Sequence, residues 1–128
     1  MTDAKTILIV DDDPDFRLPL RLQLEAAGYT VVEACDRDEA HATIAAQRPA
    51  AVIQDLMMDQ PDTGFTLCYE MKRHHPDLPI IMVTGVASET GIEFETVTEE
   101  ERSWIKADVI LAKPIRFEQL KRELDRLL

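Results

Sequence analysis

The chain has 128 residues, with 14 Lys plus Arg against 25 Asp plus Glu and a formal net charge of −11 at pH 7. That length suits one domain, and an apolar content of 45% is enough to bury a core. The acidity leaves no broad cationic surface for a phosphate backbone, so direct binding to nucleic acid is disfavoured.

No apolar run approaches the ~20 residues that span a bilayer. Met1 to Lys5 leads straight into the strand-like Ile7-Leu8-Ile9-Val10, without the apolar stretch and cleavage site of a signal peptide. A cytoplasmic protein without membrane insertion is expected.

Ile7 to Asp11 reads as a continuous apolar strand ending in acid. Phe16, Leu20 and Leu24 then recur four apart on one helical face until Gly28 stops the helix. Pro19 is expected to kink or delay it. Tyr29 to Ala34 is a second, half-alternating strand, less buried than the first, and Asp36 to Gln47 follows with Ala40 and Ile44 able to pack inward.

Ala50 to Asp55 is a third strand, Pro79 to Thr84 a fourth and Val109 to Ala112 a short fifth. Helices are expected at Gly64 to His74, with Phe65, Cys68 and Met71 inward, and at Phe117 to Leu127, with Phe117, Leu120 and Leu124 inward. Strands apolar on both faces, alternating with helices, predict a doubly wound α/β domain with a five-stranded parallel sheet. The absence of a repeat, linker or composition break predicts a single domain over 1–128, with no output domain following.

Cys35 and Cys68 have no metal-ligand spacing around them and read as small apolar fillers. His41, His74 and His75 form no ligand pattern either, and His74-His75 read as the solvated end of a helix.

In such a sheet the reactive groups gather beyond the carboxyl ends of the strands. The first strand ends in Asp11-Asp12-Asp13, the third in Asp55, the fourth in Thr84, and the fifth is followed by Lys113-Pro114. Converging carboxylates repel one another unless a cation sits among them, and a set of oxygen ligands suits Mg²⁺, or Mn²⁺ in its place. Judged alone, each of these motifs reads more simply as a solvated turn, a capping hydroxyl or a surface lysine; four agreeing strand ends do not.

These residues resemble the receiver domain of two-component response regulators, through Ile7 to Asp12, Gln54-Asp55-Leu56-Met57-Met58, Ile81-Met82-Val83-Thr84-Gly85 and Lys113-Pro114-Ile115. The resemblance covers nearly the whole chain and implies a flavodoxin-like strand order 2-1-3-4-5. It implies that Asp55 accepts a phosphoryl group from a histidine kinase or phosphotransfer protein. Asp11, Asp12, Asp55 and the backbone carbonyl of Met57 would then hold Mg²⁺, while Thr84 and Lys113 would meet phosphoryl oxygens. Strand alternation alone would pair Asp11 with Asp13; the family pattern prefers Asp11 with Asp12. The expected output is binding to a downstream protein, as a monomer or a phosphorylation-dependent dimer. The activity is that of a signalling module rather than a turnover enzyme.

The chain departs from the family pattern in three places. Ile110 stands where receivers commonly carry an aromatic residue, and Met58-Asp59 followed by Thr63-Gly64 replaces the usual loop after the acceptor. The stretch between Thr84 and Lys113 is also longer than in typical receivers. Gly85 to Val97 reads as an extended acidic loop, and Thr98 with Glu101 as a capping box opening a helix to about Lys106 that carries Trp104.

Two other functions compete. One is a receiver-like interaction module that takes no phosphate. The other is a haloacid dehalogenase-type phosphohydrolase, suggested by Asp11-x-Asp13, which would leave Asp55 unexplained. A flavodoxin-like electron carrier is disfavoured because no phosphate-cradling loop follows the first strand.

Overall fold

The computed structural model describes residues 5–55, 63–84, 108–112 and 115–128. Five strands, β1 (Thr6–Val10), β2 (Thr30–Ala34), β3 (Ala51–Asp55), β4 (Ile80–Thr84) and β5 (Val109–Ala112), form one parallel sheet in the order β2-β1-β3-β4-β5. Among the described residues four helices pack on it: α1 (Pro14–Ala26), α2 (Arg37–Ala46), α3 (Thr63–His74) and α4 (Phe117–Leu127). The predicted doubly wound α/β class and its strand order are observed. The expected acidic loop, the helix from Thr98 and Trp104 lie outside the described residues.

Alternation along the strands divides the core into two layers. Ile7, Ile9, Ile53, Ile81 and Val83 meet Leu20 and Leu24 of α1 and Leu120 and Leu124 of α4. Leu8, Val10, Val52, Ile80 and Met82 meet Ala40 and Ile44 of α2 and Leu67, Cys68 and Met71 of α3. Because β1 and β3 carry apolar side chains to both layers, they sit inside the sheet, β3 buried throughout and β1 buried from Ile7 onward. The edge strand β2 is only partly buried, as its half-alternating sequence predicts.

Both ends of α1 are fixed locally. Asp13 caps its start by accepting the Asp15 N–H at 2.9 Å, and Pro14 follows in the first turn, where its missing N–H costs nothing. At the other end Gly28 adopts φ 99°. There its N–H reaches the Glu25 carbonyl while the Tyr29 N–H reaches that of Leu24. This pair of bonds is a Schellman motif, which is why Gly28 ends the helix.

The expected delay of α1 by Pro19 is corrected, because α1 begins at Pro14 and continues through Pro19 to Ala26. Packing of Leu20 and Leu24, at roughly 1.5–3 kcal/mol per buried leucine, outweighs the one backbone bond that Pro19 cannot make.

Candidate functional site

The site is built where β1 and β3 end side by side. Register pairs Val10 with Gln54, so Asp11, the residue directly after β1, and Asp55, the last residue of β3, emerge as neighbours. The Asp11 N–H continues the ladder to the Ala34 carbonyl of β2 at 3.1 Å. That bond holds the Asp11 side chain at the top of the sheet, fully buried, while Asp55 is 6% exposed and Asp12 lies in solvent. One carboxylate oxygen from each of Asp11, Asp12 and Asp55 lies within 4.8 Å of the other two.

Asp13 does not join this group, because its carboxylate caps α1. The backbone N–H of Asp13 instead donates to Asp11 Oδ1 at 2.8 Å, which turns the loop and orients the buried carboxylate. The alternation reading, Asp11 with Asp13, fails because the strand ends at Val10 and the chain turns before Asp13.

Three carboxylates at this spacing, two of them removed from water, repel one another and lose hydration. A hard divalent cation relieves both penalties, and carboxylate oxygens with one ligand facing solvent fit Mg²⁺ and Mn²⁺ better than softer metals.

Thr84 ends β4 opposite Ala112 of β5, one step beyond the Asp55–Val83 pair, so its backbone stands at the same edge of the sheet as the acids. Lys113 follows Ala112 in the chain; Lys113 and Met57 lie outside the described residues.

The row beneath the acids runs Ala34, Val10, Gln54, Met82, Ile110 across all five strands. Gln54 is the polar member of an otherwise apolar row and is fully buried directly before Asp55. A polar residue directly after the apolar run Ala51-Val52-Ile53, within the same strand, was the available signal for it. Ile110 packs half-buried on the layer formed by α2 and α3.

A second convergence lies at the end of β2, which the sequence reading missed. Oxygen or sulfur atoms of Cys35, Asp36 and Glu39 lie within 4.8 Å of one another. Asp36 caps α2 by accepting the Glu39 N–H at 2.8 Å, while Glu39 reaches back to the Cys35 N–H at 3.1 Å and accepts the thiol as well. The hydrogen bond to Glu39, followed by burial, pushes the Cys35 thiol up from its ordinary value. The same two Cys35 donors hold the Glu39 carboxyl down. Cys68 is buried in the layer with α2 and α3, whereas Cys35 is a partly exposed thiol engaged by a carboxylate. The Asp36-x-x-Glu39 spacing, a capping pattern, could have shown this.

His41 and Arg37 of α2 both meet Glu70 of α3, the former through Nε2 at 2.6 Å, and so tie the two helices together. On the opposite layer Arg21 of α1 bonds Glu33 of β2 at 2.6 Å, and Arg17 approaches the same carboxylate at 3.8 Å.

Comparison with known proteins gives the same architecture. The family model for the response regulator receiver domain matches residues 7–125. The response regulator MprA of Mycobacterium ulcerans is 38% identical over 122 residues, which is 95% of this chain and 49% of that protein. Among solved structures, the Vibrio cholerae chemotaxis protein CheY4 superposes with a TM-score of 0.81 at 30% identity, covering 98% of this chain and 100% of that one. The Thermotoga maritima response regulator TrrA, solved in complex with Mg²⁺-BeF, gives a TM-score of 0.78 at 28% identity, covering 97% of this chain and 99% of that one.

The chain therefore belongs to the response regulator receiver domain family of two-component systems. It spans about half the length of the curated relatives it matches. Among the described residues no helix is long and apolar enough to cross a membrane.

Proposed function

We propose that this receiver accepts a phosphoryl group on Asp55 from a histidine kinase or a phosphotransfer protein, in a reaction that depends on Mg²⁺. The observation that carries the reading is the convergence of the Asp11, Asp12 and Asp55 carboxylates at the ends of neighbouring strands.

In the reaction an Asp55 oxygen bonds to phosphorus as the donor's phosphorus–nitrogen bond breaks, and the donor imidazole keeps the electron pair and takes up a proton. The product is an acyl phosphate, which water later hydrolyses back to the free carboxylate. Bound at Asp11, Asp12, Asp55 and the Met57 carbonyl, Mg²⁺ or Mn²⁺ would supply the charge neutralisation that lets an anionic nucleophile approach an anionic phosphoryl group. Asp11, held by the Asp13 N–H, fixes one wall of the site. The Thr84 hydroxyl and Lys113 ammonium are assigned to phosphoryl oxygens, where charge develops in transfer.

Output is assigned to binding of a downstream protein by a single domain over 1–128, acting in the cytoplasm as a monomer or a phosphorylation-dependent dimer. The phosphohydrolase reading is disfavoured, since the Asp13 it requires as an acid is committed to capping α1.

Intact mass after incubation with acetyl phosphate tests the proposal. One phosphoryl mass gained by the parent with Mg²⁺, and absent with chelator or in Asp55→Asn, is expected. No gain under any cation, together with no binding of beryllofluoride, would make the chain a constitutive interaction module.

A further inference from the structure

Among the described residues β5 is an edge strand of four residues with one neighbour, so its register is fixed by few ladder bonds. Its apolar pattern adds little, since Val109 and Ile110 are half-buried and Leu111 is buried. Yet register decides where the chain leaves the top of the strand, since a two-residue slip would keep the same faces inward and move that exit by ~6.6 Å.

One side chain closes this gap. The Asp108 N–H donates to the Ile80 carbonyl at 2.8 Å, and Asp108 Oδ2 accepts the Ile80 N–H at 2.8 Å. A single residue thus grips both backbone groups of the first residue of β4. Lys72, near the end of α3, places Nζ 2.8 Å from the same Oδ2, with its side chain 15% exposed. Neither contact would survive a slip of β5 along β4, because Oδ2 can satisfy the Ile80 N–H and the Lys72 ammonium together only in this register.

We propose that Asp108 is a positioning residue for phosphoryl transfer, locking the register of β5 from below so that the chain leading to Lys113, five residues along the sequence, leaves the strand at a fixed point. The role of Lys113 in this statement rests on the function proposed above; the register lock itself does not. The carboxylates assigned to the metal stand at the ends of β1 and β3, so loss of the lock should leave cation affinity alone and slow transfer.

The test compares the parent with Asp108→Ala, Asp108→Asn and Lys72→Met on the whole chain. Three quantities are read: Mg²⁺ affinity by calorimetry, the rate of phosphoryl uptake from saturating acetyl phosphate, and amide exchange across Val109–Ala112. Asp108→Ala should slow uptake on the order of 10- to 100-fold, as sub-ångström to ångström misplacement does. Its Mg²⁺ affinity should stay within about twofold, and exchange should quicken in β5 but not in β1. Asp108→Asn keeps an oxygen for the Ile80 N–H and should recover most of the rate, and Lys72→Met should fall between. Should alanine prevent folding, Asp108→Ser carries the same comparison.

An unchanged uptake rate in Asp108→Ala overturns the proposal, and so does a parallel fall of rate and Mg²⁺ affinity in both Asp108 variants. If the parent itself takes no phosphate, the acceptor reading fails, and the register lock is decided by whether exchange at Val109–Ala112 quickens.

Discussion

Asp11 and Asp13 sit two residues apart and face different tasks: Asp11 Oδ1 accepts the Asp13 N–H at 2.8 Å, while the Asp13 carboxylate turns away to accept the Asp15 N–H at 2.9 Å. The turn that begins α1 therefore also orients the buried carboxylate at the end of β1. A run of three acids is sorted in this way into one buried group, one solvent-facing group and one helix cap.

This sorting separates the effects of substitution. Asp13→Ala should cost about 1 kcal/mol of stability through loss of the cap. Its Mg²⁺ affinity should stay within about threefold, because its carboxylate is not among the converging three. Urea unfolding in chelator, paired with a Mg²⁺ titration, checks both halves. A loss of affinity on the order of a hundredfold would place Asp13 among the ligands instead.

Repulsion among Asp11, Asp12 and Asp55 predicts that the cation-free protein is held below its attainable stability. Asp55→Asn removes one charge from a buried site without changing its shape and should raise unfolding stability in chelator by on the order of 1–3 kcal/mol. Adding Mg²⁺ should stabilise the parent by about 2.7 kcal/mol at a hundred times its dissociation constant, and Asp55→Asn by much less. Thermal unfolding with and without Mg²⁺ reads both shifts. Equal stabilisation of the two proteins would mean that the cation binds elsewhere.

Much of this architecture was legible in the sequence because burial wrote it there. Ile7-Leu8-Ile9-Val10 and Ile80-Ile81-Met82-Val83 are apolar on both faces, which requires helices on each side. The acids at the ends of β1 and β3 were legible for the complementary reason, since charge at the end of a buried strand needs an explanation. What stayed hidden depends on contacts between residues distant in sequence. Nothing local marks Asp108 as the partner of Ile80 and Lys72, and nothing local joins Arg37 and His41 to Glu70. The misreadings of Pro19 and Cys35 share one cause: local propensity was weighed without the packing or capping that overrides it.

Pro19 gives a prediction from that lesson. It is exposed within α1, and the helix continues through it although its nitrogen cannot donate to the carbonyl four residues earlier. Pro19→Ala restores the donor and removes a steric conflict, while freeing the unfolded chain by up to about 1 kcal/mol. The helix term is larger, at about 3 kcal/mol, so a net stabilisation of about 1–2 kcal/mol is expected in urea unfolding. Destabilisation would show that α1 has adapted its packing to the proline.

Cys35 and Glu39 make opposite pH predictions from one contact. The Glu39 carboxyl is held below its ordinary value by the Cys35 donors, so its contribution to stability is present above the ordinary carboxylate range and is lost as pH falls through the lowered value. The Cys35 thiol is pushed up, so the folded state keeps its proton longer than the unfolded chain does; stability is full below the ordinary value of about 9.0 and declines as pH rises past it. The thiolate is the reactive form, and alkylation of Cys35 at neutral pH should therefore be slower than that of an unstructured cysteine. Glu39→Gln removes the negative charge while leaving an amide oxygen, so the midpoint of the alkylation profile should move to lower pH. Iodoacetamide labelling followed by peptide mass analysis measures this at Cys35 separately from buried Cys68. An unmoved midpoint in Glu39→Gln would assign the suppressed reactivity to burial, the second cause acting on this thiol.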